Sequence, residues 1–172
     1  EYCVKEINMN TNQINQLLTF KLGSETYGIE INKVREILTY PVVTPIPDAS
    51  RWVKGVIYLR GEVAPIIDLR VRFNITIEPI YNERTIVIAV KTQDTRMIGL
   101  VVDEVSDMES VDLDKLYPAP DMGTSIAPKY LKGLFKKDEK MIVILDIDKI
   151  LDKEEMQRLS RHSQERDGSL SG

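Results

Sequence analysis

Residues 28–37 (GIEINKVREI) recur in kind at residues 99–108 (GLVVDEVSDM), 71 positions later. Apolar, polar and acidic types agree at most positions. A second match, Val53-Lys54-Gly55 against Leu131-Lys132-Gly133, lies 78 positions apart. Thirteen residues after each of those glycines stands an aspartate, Asp68 or Asp146, preceded by Pro65-Ile66-Ile67 or Val143-Ile144-Leu145. The growing offset places seven extra residues in the second copy, within the proline-containing stretch 111–128. Self-similarity at a fixed offset is the mark of a duplicated unit. A unit of about 70 residues is marginal by itself. Closing each β-rich unit into a small barrel removes its edges, and packing the two together buries what each leaves exposed. The expected fold is therefore mainly β: two small five-stranded barrels on a shared core.

Alternating apolar residues define the strands. Leu18, Phe20 and Leu22 alternate with Thr19 and Lys21, and Tyr27, Ile29 and Ile31 alternate after the turn at Gly23-Ser24. Asn32 reads as a helix N-cap, with Val34 and Ile37/Leu38 on one side of a short helix over 33–38. Residues 56–59 and 63–67 read as the arms of a hairpin turning at Arg60-Gly61, followed by a helical turn from Asp68 to Phe73. Residues 86–90 and 97–102 are nearly all apolar, as strands covered on both faces are. Residues 111–128 read as irregular, 141–145 as a strand, and 146–160 as a terminal amphipathic helix. The expected boundaries are one domain over 16–160, with a first barrel over about 16–80, a second over about 81–145, and flexible tails at 1–15 and 161–172.

The composition excludes several classes. Asp and Glu number 27 against 23 Lys and Arg, a net charge of −4 that argues against nucleic acid. No apolar run approaches the roughly 18 residues of a membrane helix, and no signal-peptide pattern is visible. Cys3 is the sole cysteine and lies in the polar leader, which points to a reducing cytoplasm. The one histidine, His162, lies in the polar tail, so no general base accompanies a Ser or Cys nucleophile in the body of the chain. No nucleotide-binding glycine loop or hydrolase elbow occurs. Asp103, Glu104, Asp107 and Glu109 lack the glycine and spacing of a calcium loop and read as a solvated edge. Asp68, Asp112 and Asp146 read as caps of short helices. No catalytic residue, metal ligand or cofactor is expected, which leaves a binding protein.

The ordered set of motifs is similar to that of CheW-type chemotaxis coupling proteins. It runs Thr19-Phe20-Lys21-Leu22-Gly23 with Tyr27-Gly28-Ile29-Glu30-Ile31; Lys33-Val34-Arg35-Glu36-Ile37; Val53-Lys54-Gly55-Val56 leading to Leu59-Arg60-Gly61; Pro65-Ile66-Ile67-Asp68-Leu69-Arg70; then residues 99–107, Pro118-Ala119-Pro120 and Tyr130-Leu131-Lys132-Gly133-Leu134. The resemblance covers about residues 16–160. It implies two SH3-like barrels without catalysis. It also implies a cytoplasmic adaptor, recruited to membrane-associated arrays, that joins the cytoplasmic tips of methyl-accepting chemoreceptors to the regulatory domain of the histidine kinase CheA. A similar adaptor serving another kinase pathway, such as surface motility, or a small metal-binding barrel using Asp103, Glu104 and Asp107, stands as the alternative.

The same resemblance carries over a receptor-binding groove at Ile31, Val34, Glu36, Arg60, Thr85, Ile86 and Val105, and ranks no kinase-contact residues. For Ile31, Val34 and Val105 the apolar spacing serves core packing equally well, and Thr85 and Ile86 equally open a buried strand. Arg60 is more pointed. Asn or Gly turns a hairpin more easily, and the second copy has Lys137-Asp138 at the corresponding place. An arginine there reaches for an acceptor: Glu36, a group on a partner, or solvent as one of a weak surface pair.

Overall fold

The protein is described from a computed structural model over residues 14–76, 78–118, 126–151, 154–155 and 157–159. Ten strands follow in chain order: β1 (Ile14–Leu22), β2 (Glu25–Glu30), β3 (Val34–Thr39), β4 (Val53–Leu59), β5 (Glu62–Asp68), β6 (Ile86–Lys91), β7 (Met97–Val102), β8 (Glu104–Asp112), β9 (Leu131–Lys137) and β10 (Lys140–Leu145). They form two five-stranded sheets, ordered β8-β1-β2-β10-β9 and β3-β6-β7-β5-β4. One short helix, α1 (Leu69–Arg72), follows β5.

Renaming β1–β5 as β6–β10 converts one sheet order into the other. The duplication therefore survives in three dimensions, down to its irregularities. The parallel pairs are equivalent, with Ile144 opposite Gly28 and Ile66 opposite Gly99. The ladder skips Arg35 between β3 and β6 and Ser106 between β8 and β1. It skips Lys54 between β4 and β5 and Lys132 between β9 and β10. Asp68 N donates to Trp52 O at 2.8 Å, as Asp146 N does to Tyr130 O.

The central core explains why two sheets are needed. Phe20, Ile29, Ile67, Leu69, Phe73, Ile88, Leu100 and Leu145 belong to one cluster that draws on both sheets. Each fully buried apolar side chain of this size contributes roughly 1.5–3 kcal/mol. The opposite faces fill small separate cores, Leu17, Val111 and Ile144 in one sheet and Ile66, Val87 and Val101 in the other. Residues 86–90 and 97–102 are covered on both faces, as their unbroken apolarity required; all six positions of β7 are buried.

The structure corrects five expectations. Residues 33–38 are not helical: a 3-10 turn at Ile31–Lys33 leads into β3. The bulge at Arg35 inserts one residue, so Val34 and Ile37 reach the same core at a spacing of three, which mimics a helix. The terminal stretch is not one helix from 146: Asp146 caps a 3-10 turn at Ile147–Lys149, and helical residues appear again at 154–155 and 157–159. Finally, the sheets do not divide the chain near residue 80. β1 and β2 join β8–β10, while β3–β5 join β6 and β7, so each half lends strands to both sheets. β1 also begins at Ile14, inside the stretch expected to be a loose leader, and β8 continues to Asp112. The expected caps hold: Asp68, Asp112 and Asp146 each accept from the backbone N–H two residues on. Cys3 and His162 lie outside the described residues.

Gly55 shows how tightly edge strand β4 is joined to the segment that precedes it. Its φ is +144°, and a Cβ there would stand 2.1 Å from the carbonyl oxygen of Thr44, which bridges to Val56. The counterpart Gly133 faces the carbonyl of Tyr117 at 2.9 Å without a positive φ. Gly55→Ala is expected to cost on the order of 3 kcal/mol and Gly133→Ala less, because only the first adds backbone strain to the clash. Urea unfolding of the two variants checks the order.

Candidate functional site

Arg60 occupies the first position of the two-residue turn between β4 and β5. Its φ is 50° and that of Gly61 is 84°, the pair of left-handed conformations that a type I′ hairpin needs. From this tip the Arg60 Nε donates to Glu36 Oε2 at 3.1 Å. The side chains are 58% and 32% exposed. Since β3 and β4 are the two edge strands of one sheet, the pair ties one edge to the other. The second sheet has a counterpart: Lys137, beside the β9–β10 tip, bonds Glu109 on edge strand β8.

The other sequence-predicted positions are distributed differently. Ile31 and Val34 are each 3% exposed and lie in the central cluster. Ile86 and Val105 are partly buried against that cluster. Thr85 is buried: its hydroxyl accepts from Asn82 N at 3.0 Å, and its carbonyl accepts from Tyr40 N at 3.0 Å. The structure thus joins Glu36 to Arg60 and sets Ile86 at the start of β6, next to β3. Val105 lies on β8 in the other sheet, at the position equivalent to Val34. The Asp103, Glu104 and Asp107 grouping does not come together as a ligand set. Asp103 serves Arg70 and Gly23, Glu104 pairs with Lys21 at 3.7 Å, and among the described residues no three His, Cys, Asp or Glu could hold one ion.

Sequence reasoning missed a buried charge network that fixes the connection between the halves. Arg70, 4% exposed, holds Asp68 with both Nε and one terminal nitrogen at 3.0 Å, a bidentate pair. Its other terminal nitrogen donates to Asp103 at 3.0 Å and to Ile80 O at 3.1 Å. Asp103 in turn accepts from Gly23 N at 2.7 Å, which links α1 to the β1–β2 turn. Burial alone would lower the Arg70 pKa. The hydrogen bonds and charges of Asp68 and Asp103 reverse that and raise it above its ordinary value. Tyr81 donates its hydroxyl to Asp68, and burial followed by that bond pushes its pKa far up. The signal was available as the pairing of Asp68 with Arg70 two residues on, but the cap reading absorbed the aspartate.

Two SH3-like five-stranded sheets on one core, with an exposed ion pair at a hairpin tip, define a mainly β scaffold. The comparisons make this specific. A family model described as the CheW-like domain matches residues 16–155. The chemotaxis protein CheW of Klebsiella aerogenes is 44% identical over 144 residues, covering 82% of this chain and 84% of that protein. The Treponema pallidum CheW is 32% identical over 148 residues, covering 84% and 86%. The scaffolding protein TtCheW from Thermoanaerobacter tengcongensis superposes with a TM-score of 0.74 at 29% identity, covering 86% of this chain and 94% of that one. The chain belongs to the CheW-like family of chemotaxis coupling proteins.

Two outcomes follow for the buried network. Asp68→Asn removes the bidentate partner of buried Arg70 and leaves Asp103 as its one carboxylate, and is expected to cost about 3 kcal/mol in chemical denaturation. Tyr81 binds its proton more tightly when folded, so above about pH 10 the unfolded state loses that proton first and stability falls as pH rises. Tyr81→Phe removes this part of the fall. Comparing unfolding midpoints of the two proteins between pH 9 and 11 measures it.

Proposed function

We propose that this chain couples the cytoplasmic tips of methyl-accepting chemoreceptors to the regulatory domain of the histidine kinase CheA. It acts as a non-enzymatic scaffold, recruited from the cytoplasm to membrane-associated receptor arrays. Family membership supports the adaptor role, and the observation that carries the contact assignment is the exposed Glu36–Arg60 pair. An ion pair with a side chain 58% exposed contributes under about 1 kcal/mol to folding. It therefore holds the Arg60 guanidinium in place while leaving it open to a second acceptor. A receptor helix laid across the pair excludes water, and truncating a pair so buried costs on the order of 2–5 kcal/mol of binding.

The remaining positions act in two ways under this reading. Ile86 and Val105, partly exposed, touch the receptor helix. Ile31, Val34 and Thr85, each buried, shape the surface from beneath.

Arg60→Ala is expected to shift folding stability by less than about 1 kcal/mol and to weaken receptor association roughly thirtyfold or more. Ile31→Ala instead lowers stability by about 2–5 kcal/mol. Co-sedimentation with receptor-containing membranes, with and without CheA, measures the first; thermal unfolding measures the second. Unchanged association of the Arg60 variant with both partners would remove that residue from coupling.

A further inference from the structure

The chain passes between the two sheets twice. β2 gives way to β3 through the 3-10 turn Ile31–Lys33, and β7 gives way to β8 through the single residue Asp103. The duplication, at its offset of 71, makes these crossovers equivalent. Each is tied to the opposite half by the residue two places after a cap aspartate. At the second crossover, Asp103 accepts from Arg70 at 3.0 Å and from Gly23 N, in the β1–β2 turn, at 2.7 Å. At the first, Asp148 accepts from Gln93 N, in the β6–β7 turn, at 2.7 Å and lies 3.7 Å from the Lys33 ammonium. Arg70 and Asp148 are equivalent residues, 78 positions apart. The same joint therefore occurs twice with its charges exchanged.

The first crossover leans on its joint more than the second does. Its turn has three residues and no side-chain cap among the described residues. A turn without a cap leaves its end to be fixed by tertiary contacts. Glu30, at the capping position, sends its carboxylate instead to Lys132 on β9, at 2.8 Å. Two cross-half ion pairs, Glu30–Lys132 and Lys33–Asp148, thus bracket the turn. β3 leaves directly from it, and Glu36, three residues after Lys33, holds Arg60.

We propose that Lys33 and Asp148 are positioning residues for the receptor contact: through them the second half sets how β3 presents Glu36 and Arg60. The proposal rests on the receptor reading of that pair. Both residues act through the turn and not by touching the partner. Their effect is limited by what the bridge itself contributes. The two side chains are 25% and 22% exposed, and a pair so placed shifts an equilibrium by about three- to fivefold at most.

The test compares Lys33→Gln, Asp148→Asn and their combination in the full chain. Asn at position 148 keeps an acceptor for Gln93 N and loses only the charge. In the free protein, amide hydrogen exchange is followed by NMR. The Val34 N–H closes the turn onto Ile31 O, and it is expected to exchange about threefold faster in each variant. The Gly23 N–H, held by Asp103 at the other crossover, keeps its rate. In co-sedimentation with receptor-containing membranes, each single variant is expected to weaken association about threefold, and the double variant no further, because one pair is broken once. Lys33→Arg keeps the parental association. Thermal midpoints move by less than about 4 °C. Unchanged Val34 exchange, multiplied losses in the double variant, or a Lys33→Arg protein as weak as Lys33→Gln would each overturn the proposal. Arg60→Ala separates the two readings. If association falls with Arg60→Ala and not with Lys33→Gln, the positioning role is lost and the receptor contact stands. If association ignores both while Val34 exchange quickens, the receptor contact is lost and the joint between the halves stands.

Discussion

Four strand pairings join the halves of this molecule, and the two parallel ones complete the sheets. β2 lies against β10, and β5 lies against β7, and each pairing joins strands from opposite halves of the sequence. Remove them and neither sheet is complete: one falls to β8-β1-β2 and β10-β9, the other to β3-β6-β7 and β5-β4. Because their partners are far apart in sequence, these contacts form only when both halves are present. A single half therefore has no sheet of its own to close, and the duplication is an obligate one. The glycines at these junctions follow from the same constraint. A Cβ on Gly99 would stand 2.6 Å from Cδ1 of Ile66, its parallel neighbour, and 2.9 Å from Cγ1 of Val87, so those side chains would have to shift to admit one.

Against this shared frame, the points where the copies differ carry the individuality of the chain. The caps Asp68 and Asp146 are retained, since both short turns need an acceptor for the same backbone N–H. Two residues on, the chemistry inverts. Arg70 in the first half is buried among carboxylates, whereas Asp148 in the second half accepts from Gln93 N at 2.7 Å and lies 3.7 Å from Lys33. The arginine network pins the connection between halves through Ile80 O, and only the first half has such a connection to hold. At the hairpin tips the inversion runs the other way, Arg60 against Asp138. The first tip is tied to edge strand β3 through Arg60 and Glu36, the second to edge strand β8 through Lys137 and Glu109.

Much of the fold was legible in the residues. Alternation located β1 and β2, the Arg60-Gly61 turn between two apolar segments located β4 and β5, unbroken apolarity located the doubly covered β6 and β7, and the matched aspartates announced the caps. The helix read over 33–38 failed because a β-bulge and a helix place apolar side chains on one face at the same spacing of three. Of the site, Arg60 stood out because nothing about a hairpin turn calls for arginine, and its acceptor Glu36 was among the choices. Arg70 did not stand out, because a charged residue beside an aspartate looks like any solvated pair until its burial is known.

The division between what the chain declares and what the fold decides follows from range. The sequence by itself determined the duplication, most of the strands, the caps and the family, because those rest on local pattern and on fixed offsets along the chain. Only the tertiary structure decided that the halves interleave, that Ile31, Val34 and Thr85 lie beneath the surface, and that Arg70 bridges Asp68 and Asp103. Pairing between distant strands and the removal of charges from water depend on which segments meet, and periodicity along one segment carries no information about its partner.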